Sequence, residues 1–173
     1  MDFFETVAVR RSIRAYEPRE VEPEKLQKIL DCINASPSAG NLQGYQVLVV
    51  KDAKKRQALA KASLDQKQLV EAPVVLAFLQ DPGRAARKYG QRGKSLYSLQ
   101  DATIACAYAQ LAATALGLAT CWIGAFEDEA VARILGTKGG LMPVALLPIG
   151  HAAESPAPTA RRKLDDLVKW EVL

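Results

Sequence analysis

Histidine is almost absent from this chain, and cysteine is scarce. The 173 residues include one histidine, His151, and three cysteines that lie far apart with no CxxC pair. A zinc site draws several ligands from these two residue types, and a Ser-His-Asp triad needs a histidine that acts as its base. We therefore expect neither a metal site nor a triad. The cysteines, Cys32, Cys106 and Cys121, all have apolar neighbours, which predicts reduced core thiols.

The glycine-rich nucleotide motifs are missing as well. No GxGxxG follows a strand pattern, and no GxxxxGK(S/T) occurs in the chain. A secretory signature is not recognisable at the N-terminus, so we expect a cytoplasmic protein. Length and a hydrophobic content of 49% fit one domain over residues 1–173, or one protomer of an obligate dimer.

The positive charge is in only modest excess. A net charge of +4 is compatible with nucleic acid, a membrane surface or an anionic small ligand as partner. The arginine-rich clusters lie at turns and termini, however, and do not form one helix face interleaved with exposed aromatics. A nucleic-acid-binding module therefore remains only a remote alternative.

Charge is also missing from a long apolar stretch. Between Asp101 and Glu127 there is no charged residue, and the pattern predicts a helix over 96–116, a C-cap at Gly117 and a strand over 119–123. A helix that is apolar all round is buried. The run is long enough to cross a bilayer, but the glycine, the many alanines and the lack of flanking Lys/Arg asymmetry argue against a membrane span. So short a chain cannot cover every face of this helix, which predicts that a second copy covers it.

The rest of the chain alternates helix and strand patterns. It predicts helices at 2–9, 23–34, 52–62, 66–71 and 127–135, and strands at 45–50, 74–79 and 142–149. The basic stretch 84–94 is mixed with glycine and tyrosine, which favours a partly mobile, solvated surface segment. The tail 151–173 ends in an amphipathic piece too short to be stable alone, so we expect it to dock on its own or the partner subunit.

Two groups of residues are candidates for binding a ligand. Arg10, Arg11, Ser12 and Arg14 near one end of the chain, and the pair 161–162 near the other, could cradle a phosphate because guanidinium offers forked donors. A solvated basic turn is the alternative. The loop 36–45 offers backbone N–H groups and short side chains to a planar or anionic ligand, or serves as a plain connector. Together they suggest a pocket for a flat apolar ring with a phosphate at one end.

Five motifs in this order resemble the nitroreductase family, which binds FMN. They are RRSIR at 10–14, SPSAGNLQ at 36–43, EAP at 71–73, LGLATCWIGAF at 116–126 and IGH at 149–151. The resemblance covers essentially the whole chain. It implies an α+β fold, a three-layer α-β-α sandwich with a central mixed sheet, that forms a homodimer through the long central helix. Two flavins would lie in grooves at the dimer interface.

The resemblance also implies which residues hold the cofactor. Arg10, Ser12 and Arg161 would surround the FMN phosphate and ribityl chain, with Arg11 in the same cluster and Arg162 as an alternative to Arg161. Arg14 would lie near the flavin N1 and C2 carbonyl. The loop that reaches the flavin from the partner subunit corresponds to Pro37, Ser38, Ala39 and Asn41.

Two further segments complete the implied site. Gln66 and Gln68 resemble the stretch that contacts the pyrimidine ring, although Asp65 stands where the family usually has asparagine. The segment beneath the ring corresponds to Ile123, Gly124 and Ala125, where a backbone N–H can approach N5. Little sequence separates the strand at 74–79 from the central helix, which implies a reduced substrate lid.

The implied activity is an FMN-dependent transfer of hydride or electrons from NAD(P)H to a nitro compound, quinone or similar flat acceptor, by a ping-pong mechanism. The flavin carries this chemistry, so no catalytic acid or base is required of the protein, while Arg14 and Gly124 would tune the ring. A flavin-binding protein of the same fold with a different chemistry is the alternative. The resemblance implies no metal, membrane or nucleic-acid partner.

Overall fold

The computed structural model describes residues 1–172. Its strands are β1 (Tyr45–Val50), β2 (Val74–Gln80), β3 (Ala119–Thr120) and β4 (Met142–Gly150). Its α-helices are α1 (Phe3–Val9), α2 (Pro23–Asn34), α3 (Ala53–Ala62), α4 (Gln68–Glu71), α5 (Pro82–Arg92), α6 (Ser98–Ala115), α7 (Asp128–Leu135) and α8 (Leu164–Leu167). A 3-10 turn over Ala39–Asn41 precedes β1, and a π-helical turn over Gly93–Tyr97 joins α5 to α6.

The four strands form one sheet in the order β1-β2-β4-β3, and each neighbouring pair is antiparallel. One parallel pairing occurs within residues 1–172, the isolated bridge between Ser12 and Thr120. The mixed character predicted for the sheet is therefore confined to its β3 edge, where the segment after α1 runs alongside it.

Helices cover both faces of the sheet. The strand β2 is buried on both sides, and its side chains alternate between two cores. Leu76 and Phe78 pack with apolar residues of α2 and α6, whereas Ala77 and Leu79 pack with residues of α3, α4 and α7. This arrangement confirms the predicted α+β, three-layer fold. Each large side chain buried there contributes roughly 1.5–3 kcal/mol.

The central helix α6 is present as predicted, with one face left open. It starts at Ser98 because the π-helical turn occupies the preceding residues, and its end is followed by Gly117 with a φ of 74°. Ala102, Ala105 and Ala109 are buried, but Leu99 is 39% exposed and Tyr108 is 40% exposed. Part of this helix is therefore not covered by the rest of the chain. Within residues 1–172, none of the helices combines the length and the apolar character of a membrane span.

The basic stretch 84–94 exposes its cations as predicted, but it is also helical, which the sequence pattern did not indicate. It forms α5 and the π-helical turn, and the α5 N-terminus is capped by Asp81, whose side chain accepts a hydrogen bond from the Arg84 N–H at 2.8 Å. Glycines lower helix propensity in this stretch, but a tertiary contact requires one of them. A Cβ at Gly93 would lie 2.4 Å from the Ala85 carbonyl oxygen.

Two smaller predictions differ from the structure, and a third is not tested by it. Cys106 and Cys121 are buried, and burial raises the pKa of both thiols, but Cys32 is exposed rather than in the core. The predicted strand 119–123 is shortened to two residues, after which Ile123 forms an isolated bridge to Leu146. In the tail, α8 has no buried residue, so its docking stays a prediction, and Leu173 lies outside the described residues.

A buried carboxylate connects α6 to the loop before β1. Asp101 is 2% exposed, and its two oxygens accept hydrogen bonds from the Ala39 N–H at 2.9 Å and the Gly44 N–H at 3.1 Å. Hydrogen bonds to a charged group are stronger than neutral ones. This side chain therefore holds both ends of the 39–44 loop against the first turn of α6.

We predict that Asp101→Asn lowers the free energy of unfolding by about 1.5–3 kcal/mol, because the amide nitrogen cannot accept one of the two hydrogen bonds. Denaturant titration of the purified variant measures this change. Asp165→Asn, at an exposed position in α8, is the matched control and should leave the unfolding midpoint unchanged. Equal effects of the two substitutions would contradict the role given to Asp101.

Candidate functional site

Residues from opposite ends of the chain line one cavity of about 200 Å³. The N-terminal segment contributes Arg10, Arg11, Ser12 and Arg14, and the tail contributes Pro156, Ala157, Thr159 and Arg161. The structure thus brings the two predicted arginine groups together in this cavity, which we call the arginine cavity. Arg162 does not line this cavity, because its guanidinium donates to the Asp166 carbonyl oxygen at 2.6 Å.

Backbone pairing on two sides creates this cavity. On one side, the Ile13 N–H donates to the Thr120 carbonyl oxygen at 3.0 Å, next to the Ser12–Thr120 bridge. On the other, the Ala153 N–H donates to the Ala15 carbonyl oxygen at 3.0 Å, and a Glu154 carboxylate oxygen accepts from the Arg14 N–H. Successive side chains of an extended segment point to opposite faces. Ile13 is buried, and its neighbours line the cavity.

The guanidinium groups at the cavity differ in how free their donors are. Arg11 Nη1 donates hydrogen bonds to the Ala8 carbonyl oxygen at 2.7 Å and to the Arg10 carbonyl oxygen at 2.9 Å. This side chain therefore caps the end of α1. Within residues 1–172, no hydrogen bond or ion pair engages the Arg10 or Arg161 side chain, and Arg14 makes one long contact of 3.5 Å with the Ser12 carbonyl oxygen. Unengaged forked donors around a small cavity suit a phosphate.

A second group of predicted residues lies farther along the same edge. Gln68 Nε2 donates to Gln66 Oε1 at 2.9 Å, and Gln66 Nε2 donates to the Ala125 carbonyl oxygen at 3.2 Å. The structure therefore brings together the two segments expected around the ring. Gly124 and Ala125 are exposed, whereas Ile123 is buried and exchanges both backbone hydrogen bonds with β4. Ile123 thus positions the segment rather than offering its side chain to a ligand.

The third group lies elsewhere in the protomer. Pro37, Ser38 and Ala39 line a different cavity, of about 640 Å³, together with Tyr97 and the first turns of α6. Asn41 is exposed at the end of the 3-10 turn, with a φ of 56°. The Ser38 hydroxyl accepts a hydrogen bond from the Gln43 N–H at 2.9 Å, which holds the loop in shape.

The length of α6 separates this loop from the arginine cavity. Asp101 binds the loop, while Thr114 lines a cavity together with Arg10 at the other end of the helix. These two helix positions are about 20 Å apart at the α-helical rise of roughly 1.5 Å per residue. One protomer therefore does not place its own loop beside its own arginine cavity.

Some residues that shape the site were missed at the level of sequence. The sequence could have indicated Asp101, because it is the last charged residue before a long apolar run. Glu154 lies in a turn-rich tail, where no pattern distinguishes it. The single histidine is a structural partner: His151 Nε2 lies 3.3 Å from Glu22 Oε2. Among residues 1–172, no three His, Cys, Asp or Glu side chains gather as a metal site would require.

Comparison with known proteins agrees with this architecture. A family model for the nitroreductase family matches residues 7–70 and 64–151. An NADH dehydrogenase from Thermus thermophilus is 31% identical over 93% of this chain and 92% of its own length. The structure of NfrA2 from B. megaterium superposes with a TM-score of 0.93 at 27% identity, covering 100% of this chain and 76% of that one.

A further solved structure, of a protein described as a nitroreductase in complex with FMN, comes from Exiguobacterium sibiricum. It has a TM-score of 0.88 at 25% identity and covers 99% of this chain and 98% of its own. The family model spans the sheet, the central helix and the N-terminal segment of the arginine cavity, and the NfrA2 structure covers the tail as well. The chain therefore belongs to the nitroreductase family.

Proposed function

We propose that this protein is an FMN-dependent oxidoreductase that uses NAD(P)H to reduce a flat acceptor such as a nitro compound or a quinone. The observation that carries the proposal is the cavity of about 200 Å³ that arginines from both ends of the chain line together with Ser12. The FMN bound to the Exiguobacterium protein and the activity named for the Thermus relative support it. The residues present fit the phosphate of FMN in charge and in donor chemistry.

Each group of site residues has a distinct part in this proposal. Arg10, Ser12 and Arg161 hold the phosphate, and Arg11 supports them by capping α1. When bound, FMN supplies the redox chemistry between reduced nicotinamide and the acceptor. The positive charge of Arg14 would stabilise negative charge at the pyrimidine end of the ring.

The segments beyond the phosphate would orient the ring. The hydrogen bonds between Gln66, Gln68 and the Ala125 carbonyl oxygen hold the two segments at a fixed separation. The exposed backbone of Gly124 is free to donate to a ligand, because the neighbouring strand pairing ends at Ile123. The two substrates would then use one site in turn, as a ping-pong mechanism requires.

A second copy of the chain would complete the site. The open face of α6 is apolar, and grooves of about 560 and 640 Å³ flank it. A partner packed on this face would cover Leu99 and Tyr108, and it could bring its own Pro37–Asn41 loop to the arginine cavity that the protomer's own loop cannot reach. We propose this homodimer as the functional form.

The proposed dimer interface can be tested on the open face of α6. Ala107 is exposed on the open face of α6, so Ala107→Glu would place a charge in the proposed interface, where burial without a partner is costly. We expect the wild type to sediment as a dimer and this variant to sediment as a monomer with weakened FMN binding. Lys54→Glu, on α3, is the control. A wild-type monomer that retains FMN in dilute solution would refute the proposal.

The phosphate site leads to a second prediction. Arg10→Ala or Arg161→Ala should weaken FMN binding by about 1.5–3 kcal/mol, the scale of a charge-assisted hydrogen bond, and should weaken riboflavin binding far less. Fluorescence titration of the apoprotein with each flavin measures the difference. Arg162→Ala is the matched control, because its guanidinium is engaged with Asp166. Equal losses for FMN and riboflavin would show that the arginines act on folding instead.

A third prediction concerns Arg14. Replacing it in Arg14→Gln removes the positive charge and preserves some hydrogen bonding, so the reduction potential of the bound FMN should fall, while Arg10 and Arg161 still retain the cofactor. For a two-electron couple, about 30 mV corresponds to about 1.4 kcal/mol. Titration against a redox dye measures the shift, with Arg162→Gln as the control. An unchanged potential in a variant that keeps FMN would mean that Arg14 is not at the ring.

A further inference from the structure

One strongly basic surface has no part in the proposed FMN site. It consists of five exposed cations of α5 and the π-helical turn, which we call the basic rim: Arg84, Arg87, Lys88, Arg92 and Lys94. No acidic residue occurs between Asp81 and Asp101. In the described chain, none of the five forms an ion pair. The positive charge of the rim is therefore not neutralised within the protomer.

This concentration of like charge destabilises α5. Arg84 and Lys88 are four residues apart on α5, and like charges at that spacing destabilise a helix. The helix also contains Gly90 with a φ of 53°, which interrupts it. Surface helices normally offset such repulsion with acidic neighbours. An external anion would relieve it here.

Two of the five cations donate hydrogen bonds within the chain, and these bonds hold the rim in place. Arg84 Nε donates to the Leu42 carbonyl oxygen. Arg92 Nε donates to the Tyr97 hydroxyl at 3.0 Å, and its guanidinium lies 5.5 Å from the centre of that ring. No hydrogen bond occupies the side chains of Arg87, Lys88 and Lys94 anywhere in residues 1–172. These three remain available to a ligand.

The position of the rim connects it to the proposed active site. A Cβ placed on Gly40 would lie 2.8 Å from Lys88 Nζ and 2.5 Å from the Tyr89 hydroxyl, so both side chains lie directly over the Pro37–Asn41 loop. Tyr97 lines the same cavity of about 640 Å³ as that loop. Lys88 of the rim therefore lies beside the loop that we assign to the flavin of the partner subunit, and Arg92 contacts Tyr97, which lines the same cavity as that loop.

We propose that the basic rim binds the phosphates of the nicotinamide dinucleotide that reduces the enzyme. This inference rests on the proposed function. NADH carries a pyrophosphate and NADPH carries a further phosphate, whereas a neutral quinone or nitro compound offers nothing for a cation to bind. The FMN phosphate already has the guanidinium groups of Arg10 and Arg161 in the arginine cavity, and no cation of the rim lines that cavity. The rim would therefore act on the reductant and not on the acceptor.

The two tyrosines beside the rim favour this ligand over a nucleic acid. Tyr89 and Tyr97 pack edge to face with their ring centres 5.1 Å apart, and each carries a cation against its ring. Single-stranded nucleic acids are held by aromatic faces that are open for stacking. These rings instead support the cations. A short cationic edge of this kind suits a small phosphate ligand and would also steer it to the cavity.

The test removes charge from the rim and varies the charge of the reductant. The variant K88Q/K94Q is compared with K54Q/K55Q, which loses the same charge on α3 in the opposite helix layer. Steady-state kinetics of the FMN-loaded proteins use NADPH, NADH and 1-benzyl-1,4-dihydronicotinamide, which has no phosphate. We expect K88Q/K94Q to raise KM for NADPH and NADH about three- to tenfold, the scale of two exposed charges, with no change for the benzyl compound. K54Q/K55Q and the charge-preserving K88R/K94R should behave as the wild type.

Calorimetric titration with NADP⁺ gives a readout that does not depend on turnover. Affinity for NADP⁺ should fall about three- to tenfold in K88Q/K94Q, the scale of two exposed charges, and it should be retained in K88R/K94R. Unchanged KM values, or equal rises for all three reductants, would overturn the inference. If the wild type oxidises none of the reductants, the proposed function fails. The loss of NADP⁺ affinity in K88Q/K94Q would still support the binding site, and the absence of that loss would overturn it.

Discussion

The candidate site depends on the backbone pairing of one short extended segment. After α1, the chain pairs with β3 at Thr120, and the tail pairs with it from the other side through Ala153 and the Glu154 carboxylate. This double pairing buries Ile13 and turns the arginines outward. It also returns the tail to the N-terminus, which brings Arg161 to the cavity. Without it, the two arginine groups would be separate solvated turns.

The central helix determines how the rest of the site is divided. One end of α6 holds the loop before β1 through the buried carboxylate of Asp101, and the other end lies beside the arginine cavity. Because the helix is rigid and about 20 Å separates these contacts, a single protomer holds the two halves apart. The same helix presents an open apolar face. Under the proposed homodimer, covering that face and completing the site are one event.

The modest excess of positive charge is concentrated in two places. The first is the arginine cavity, where backbone pairing gathers side chains that are distant in sequence. The second is the basic rim of α5 and the π-helical turn, where the cations are close neighbours in sequence. In our proposals each has a separate anion, the phosphate of FMN and the phosphates of the nicotinamide dinucleotide. The total charge alone gives no hint of this division.

The sequence by itself determined the elements with strong local patterns. Residues 23–34 and 45–50 form the predicted helix and strand with the predicted bounds, because periodicity and end signals are local properties. The tertiary structure decided the rest. The glycines of 84–94 hid the helical pattern of α5, and the one at Gly93, directly after this helix, is required by its contact with Ala85. The anchoring by Asp101 depends on contacts between residues that are distant in the chain. The capping role of Arg11 and the choice between Arg161 and Arg162 depend on the direction in which a side chain turns. Such contacts exist only once the sheet has brought those segments together.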